Sequence, residues 1–246
     1  MESRSPLMRA CAALVAVGLS VLVLAASPAT ARADLVIDSF DSTTIAWPVS
    51  RNTVGTTPMH DGALGDVMGG YRHLSLALTD AIVPGFDSAT VELYAGGGFS
   101  FCDYTSRTGA DGRVGLAYWG NAEGDMVTDL SGQAAILIDL LGYDSPASVP
   151  MTVEVMLVSD WAQPGEQSVT AQVSTTTFGP QTLRVRFDTL PANNVDFSNI
   201  NYISFIFDAP MGADFRIDEI GTEVPEPATM ALLALGLGGL FVRRRR

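Results

Sequence analysis

The chain has 246 residues with a formal net charge of −13. Three of its 14 basic residues precede residue 34 and four close the chain, so residues 34–222 hold seven arginines, no lysine and 24 acidic residues. That balance argues against nucleic acid and anionic membrane as partners of this stretch, because both demand a basic surface, and it suits cation binding and solubility outside the cell.

Taken in order, the chain opens with Arg4 and Arg9 ahead of an apolar stretch at 10–26. Small-residue cleavage sites follow at Ala29-Thr30-Ala31 and Ala31-Arg32-Ala33. This is the pattern of a secretory signal peptide over 1–33, removed by signal peptidase, with a mature chain beginning at Asp34. Cys11 falls inside it, which leaves Cys102 as a single cysteine and rules out an intrachain disulfide. Cys102 is expected to be a small buried hydrophobe.

From Asp34 the apolar residues alternate with period two and are separated by turn residues, the mark of strands. Strands are expected near 35–40, 71–79, 89–94, 99–104, 114–119, 135–140, 151–158, 168–174, 183–187, 202–207 and 215–220. The segment that holds Trp47-Pro48 and the Gly-, Asn-, Thr- and Pro-rich stretch 52–62 is expected to be a loop. No stretch keeps a helical period for three turns. The domain at 34–222 is therefore expected to be all-β, an antiparallel β-sandwich of jelly-roll type, and it is long enough to bury its own core.

The carboxyl end makes three separate demands. Pro225-Glu226-Pro227 cannot continue a helix and holds the chain extended. The uncharged apolar run 228–242 can satisfy its backbone in lipid only as a helix, and at about 1.5 Å per residue it spans roughly 22 Å against a hydrocarbon core of roughly 30 Å. Arg243, Arg244, Arg245 and Arg246 would stay on the cytoplasmic side. In this order, over 223–246, the parts resemble the PEP-CTERM sorting signal. That resemblance implies an exosortase-type processing protease as partner and a membrane contact made only through this segment before processing. It also implies export through a membrane-tethered intermediate to the cell surface or extracellular matrix, in bacteria that make biofilm exopolymers.

The domain resembles the galactose-binding-like jelly roll shared by many carbohydrate-binding modules. The matching stretches are Ile37-Asp38-Ser39-Phe40-Asp41, Asp129-Leu130-Ser131-Gly132, Phe197-Ser198-Asn199-Ile200 and Phe215-Arg216-Ile217-Asp218-Glu219-Ile220. Gly65-Asp66-Val67-Met68-Gly69-Gly70 is similar to a motif of the complex I intermediate-associated protein family, which shares this fold. The resemblance implies one structural calcium where the first and last strands meet, with Asp38 or Asp41 and Asp218 as carboxylate donors. A second acidic turn, 121–129, departs from the EF-hand pattern at Met126 and Gly132.

No catalytic set is expected. His60 and His73 have no zinc-ligand spacing, there is no G-x-S-x-G elbow, and Cys102 lies in a strand rather than a turn. Sugar binding needs exposed aromatic faces ringed by polar side chains; the candidates beside turns are Trp47, Tyr118, Trp119 and Trp161. Three functions stay open at this point: a non-catalytic module for extracellular polysaccharide, a cohesive surface or matrix protein using calcium without a small ligand, and, behind both, a polysaccharide-active enzyme.

Overall fold

The computed structural model describes residues 34–44, 47–95, 100–120, 126–146, 149–161, 163–191 and 194–225. The signal peptide, the apolar run 228–242, the terminal arginines and the first half of the 121–129 turn lie outside the described residues. Residues Asp34–Val224 form one compact unit.

Among the described residues the strands are β1 (Val36–Asp38), β2 (Val49–Arg51), β3 (Gly55–Gly62), β4 (Tyr71–Ala81), β5 (Ala89–Tyr94), β6 (Phe101–Ser106), β7 (Ala110–Tyr118), β8 (Ala135–Asp144), β9 (Met151–Ser159), β10 (Gln167–Thr175), β11 (Gln181–Arg186), β12 (Ile200–Ala209) and β13 (Asp214–Glu223). Only two single 3-10 turns accompany them, at Met68–Gly70 and Phe187–Thr189. The strands pair antiparallel into two sheets. One runs β11-β8-β13-β6-β5-β2 with β1 against β13, and the other runs β10-β9-β12-β7-β4-β3. The fold is the expected antiparallel sandwich of jelly-roll type.

Alternation in the sequence becomes alternation across the sheet. On β4, Leu74, Leu76 and Leu78 are buried while Ser75 and Ala77 between them face outward. The same period buries Val114 and Leu116 on β7, Val153 and Val155 on β9, and Phe205 and Phe207 on β12. These meet Val91, Tyr104, Ile138, Phe215 and Ile217 from the other sheet in one shared core. Cys102 lies within that core, where burial pushes its thiol pKa well up and makes it a hydrophobe rather than a nucleophile.

The expected loop over 52–62 is a correction. All but its first three residues form β3, an eight-residue strand paired residue for residue with β4. β3 is the outermost strand of its sheet, so Pro58, which has no N–H to give, is tolerated there. The unit is closed by its own ends. β1 pairs with β13, the Leu35 N–H donates to Thr222 Oγ1 at 2.9 Å, and the Val224 N–H donates to Asp34 Oδ1 at 2.9 Å.

One charged cluster lies inside this apolar frame. Arg72 on β4 is 0% exposed, and its Nε and Nη2 each donate to Asp38 at 2.6 Å as a two-pronged pair. Its Nη1 donates to Asp61 of β3 at 3.0 Å and to the Ser42 carbonyl at 3.2 Å. Tyr118 of β7 donates its hydroxyl to Asp38 at 2.8 Å, and the Phe40 N–H donates to the same carboxylate. Thr44 caps Asp61 with both its N–H and its hydroxyl. Burial works against the arginine's charge, but the paired Asp38 outweighs it and raises the guanidinium pKa.

Two expectations are corrected here. Asp38 is wholly buried and already bound by Arg72, Tyr118 and Phe40, so it has no lone pair left for calcium. Tyr118 is 0% exposed and offers no ring face to a ligand. Replacing Arg72 by Leu would strand two buried carboxylates, and the expected loss is about 3–5 kcal/mol of unfolding free energy. Tyr118→Phe, which removes one hydrogen bond, should cost about 1–3 kcal/mol. Urea denaturation midpoints of the Asp34–Val224 domain would show both, with Arg72→Leu the larger.

Candidate functional site

The outer face of the six-stranded sheet carries a cluster of half-buried aromatic side chains. Strand alternation sets its composition. Because Arg72 points inward, His73 points out; because Asp61 points inward, His60 points out; because Tyr118 ends β7 facing the core, Trp119 follows on the other side. His73 stacks flat on Trp119, with centroids 3.2 Å apart and planes 10° from parallel. Trp119 lies 5.6 Å from Tyr202 on β12, nearly parallel to it, and 5.4 Å from Trp161. Trp161 and Tyr202 close the triangle at 4.9 Å.

Trp161 is held by the chain around it. Its N–H donates to Asn201 Oδ1 at 2.9 Å, and Asp160 before it has a left-handed φ of 55°. Asp160 in turn accepts from the Asn199 side-chain amide at 3.1 Å. These contacts tie the β9–β10 turn to the start of β12 and hold Trp161 beside Tyr202.

Beside the aromatic cluster, register places small side chains in a row. His73 is opposite Ala117, Ala117 is opposite Ser204, and one pair further along Ser75 is opposite Gly115. A Cβ on Gly115 would meet Ser75 Oγ at 2.5 Å, so glycine keeps this floor low. The result is a cleft of about 290 Å³, walled by His60, Trp119 and Tyr202 and floored by Ser75, Gly115 and Ala117. Past the floor the face turns polar. Arg113 pairs with Asp208 across β7 and β12 at 2.9 Å, and Gln172 donates to Glu154 at 3.1 Å. An apolar platform, a shallow floor and a polar far end together suit a ligand with both CH-rich faces and hydroxyl groups.

The cluster also holds the two histidines of the domain. His60 and His73 face each other across β3 and β4, with Nδ1 atoms 2.6 Å apart. Burial against the sheet, and then the neighbouring His60 ring, push the His73 pKa down to about 4 against a smaller opposing pull from the Gly120 backbone.

Of the residues expected to form a platform, the structure brings Trp119 and Trp161 together. Trp47 is elsewhere: it packs part-buried on the core at the entry to β2, and its indole N–H donates to Thr43 at 2.8 Å. Of the expected calcium donors, Asp41 accepts from Ser39 and Ser100, whereas Asp218 lies on the outer face of the other sheet. There burial and the nearby Asp139 and Asp41 raise the Asp218 pKa. Among the described residues, no three His, Cys, Asp or Glu side chains are disposed to hold a metal ion. Sequence reasoning missed Tyr202 and the His60–His73 pair. Tyr202 was visible only as the polar-facing start of a strand, and nothing local says which aromatic of a distant turn it meets.

Asp66 of the Gly65–Gly70 motif has a structural task. It accepts from the Ser42 N–H at 2.9 Å and also from the Ser42 and Ser39 hydroxyls, pinning the 39–44 loop. Against burial, those Ser42 bonds hold its carboxyl below the usual range. Gly69, at φ 73°, approaches the Gly120 backbone so closely that a Cβ would meet its nitrogen at 3.0 Å. The motif thus supports the chain directly after Trp119.

Fold and face define a β-sandwich with an open aromatic cleft on one sheet. The PEP-CTERM protein-sorting motif matches residues 223–246, which marks the chain as exported, held at the membrane as a sorting intermediate and processed by an exosortase. No protein of curated function matches the chain in sequence. Among solved structures, the chain is similar to the family 11 carbohydrate-binding module from Clostridium thermocellum in complex with a β-1,3-1,4-mixed-linked tetrasaccharide. That likeness has 14% identity and a TM-score of 0.40, and covers 78% of this chain and 95% of the module. It is also similar to the family 30 carbohydrate-binding module of a cellulosomal cellulase of Clostridium thermocellum, at 12% identity and a TM-score of 0.39, covering 74% of this chain and 99% of that one.

The depressed His73 pKa makes a prediction about stability. Between pH 6.5 and about 4 the unfolded chain takes up a proton that the folded chain refuses, so stability falls as pH is lowered through that window and this contribution is intact above it. Thermal melts at pH 7.5 and pH 4.5 should show a larger drop in Tm for the wild type than for His73→Gln.

Proposed function

We propose that the exported domain is a non-catalytic module that binds extracellular polysaccharide on the outer face of its six-stranded sheet. The observation that carries this reading is the convergence of Trp119, Trp161 and Tyr202 beside the low floor of Ser75, Gly115 and Ala117. Sugar rings are amphiphilic. Their axial C–H faces stack on indole and phenol rings, and their equatorial hydroxyls seek carboxylate, amide and guanidinium partners. The face offers these in sequence along one direction, from the aromatic cluster to Glu154, Gln172, Arg113 and Asp208. An open cleft suits the interior of a polymer chain, whose ends need not enter.

The sorting motif supports the same reading from the other direction, because a domain delivered outside the cell meets polymer there rather than metabolites. Delivery to the cell surface or the matrix is part of this proposal. So is the identification of the polymer with the cell's own exopolymer or a neighbour's.

Affinity electrophoresis and calorimetry of the Asp34–Val224 domain against soluble β-glucans, xylans, galactans and bacterial exopolymers test the reading. Saturable binding to at least one polymer is expected. Trp119→Ala should weaken it at least tenfold, which is about 1.4 kcal/mol, and Trp161→Ala should act in the same direction. Trp47→Phe, away from the cleft, should leave affinity unchanged. A folded domain that binds none of these polymers, or one whose affinity ignores Trp119, would sink the proposal.

A further inference from the structure

We propose that His60 and His73 form a binding site for a transition-metal ion of the Cu2+, Ni2+ or Zn2+ class, at the edge of the aromatic cluster. The two residues are directly opposed on neighbouring antiparallel strands, and their rings bring the same atom, Nδ1, to within 2.6 Å of each other. The ring planes stand 77° apart, so the two nitrogens converge rather than stack. Two imidazoles bound to one ion at about 2.0–2.1 Å hold their nitrogens about 2.9 Å apart in a square-planar arrangement and about 3.3 Å apart in a tetrahedral one. The observed pair therefore needs to open by about half an ångström and to turn so that both lone pairs aim at the ion.

The two rings differ in how they can supply that movement. His73 is fixed, pressed flat on Trp119 and half-buried against the sheet. His60 is exposed on the outermost strand and free to swing outward. One anchored donor and one adjustable donor suit an ion that sets its own geometry. The bare pair shares one proton between the facing nitrogens. The exposed His60 is the ring that can donate it: on binding it releases its Nδ1 proton to solvent and takes one from water at Nε2, while His73, whose Nε2 is buried, keeps its tautomer, so both Nδ1 lone pairs are offered to the metal.

The donor set also says which ions are admitted. Imidazole nitrogen favours Cu2+, Ni2+ and Zn2+, whereas Ca2+ and Mg2+ require oxygen ligands, and no carboxylate joins this pair among the described residues. With two protein ligands, the remaining positions fall to water. The excess of 24 acidic residues over seven arginines in the domain adds a general attraction for cations. The inference does not depend on polysaccharide binding, since it concerns the metal alone.

Trp119 supplies the readout. Cu2+ and Ni2+ quench indole fluorescence at close range, and Trp119 lies 3.2 Å from the His73 ring. The Asp34–Val224 domain, which closes its own core, is titrated with Cu2+ and separately with Ni2+ at neutral pH in excess Ca2+, without sugar. Expected are saturable quenching at one ion per chain and a Cu2+ spin-resonance signal with two coupled nitrogens. His60→Gln, at an exposed edge position, should raise the half-saturating concentration at least tenfold with the melting temperature unchanged. His73→Gln should do the same, its fold checked by circular dichroism. Quenching that does not saturate, that persists undiminished in His60→Gln, or that excess Ca2+ abolishes would overturn the site. Because no sugar is present, failure here leaves the polysaccharide reading standing, and failure of that reading leaves the metal site untouched.

Discussion

The sandwich depends on one buried cation. Arg72 is surrounded by apolar core, yet it carries a full charge, and every polar atom it presents is met: two by Asp38, one by Asp61 and the Ser42 carbonyl. An interior ion pair is a poor source of net stability, because desolvating the charges offsets most of their attraction. Its value lies in selectivity, since any other pairing of strands would leave a charge unmatched in oil. The cluster draws on β1, β3, β4 and β7, four strands from both sheets, and on the loop that Asp66 pins. It therefore specifies which strands meet and in what register, a task that interchangeable leucines and valines perform weakly.

That specification is transmitted directly to the opposite surface. In a strand, neighbours in sequence point to opposite faces. Asp61 and Arg72 are paired inside, so His60 and His73 are paired outside; Tyr118 reaches in to Asp38, and Trp119 next to it turns to the outer face, half-buried. Half of the aromatic cleft is the reverse side of the charge cluster. A slip of one residue between β3 and β4 would bury imidazole and expose carboxylate, destroying both at once. Core and cleft are in this sense one design read from two sides.

This arrangement also explains what was legible beforehand. The leucines at 74, 76 and 78 announced β4, and the apolar alternation elsewhere announced the sandwich. Pairing is another matter. Asp38 and Arg72 lie 34 residues apart, and no local pattern says that a carboxylate in the first strand is met by a guanidinium rather than by a metal. Tyr118 and Trp119 illustrate the same limit at close range. Adjacent aromatics in a strand cannot both face one way, so one had to be core, but only the hydroxyl's engagement with Asp38 decides which. The strand at Gly55–Gly62 was hidden because proline and glycine are read as breakers, and they break a strand only where both its edges are paired. The tail was legible because its demands are local: extended chain, uncharged apolar run and fixed charge follow one another without any distant partner.

The pairing of β1 with β13 has a mechanical consequence. Tension applied at the C-terminal end of the domain arrives at Val224 and runs along β13, which near that end is flanked by β8 on one side and β1 on the other. Ladder hydrogen bonds lie across a strand. A pull along β13 therefore loads many of them in shear at the same time, instead of peeling them off singly. The Asp34 and Thr222 contacts close the same corner. The C-terminal corner of the domain is thus built to bear load along β13.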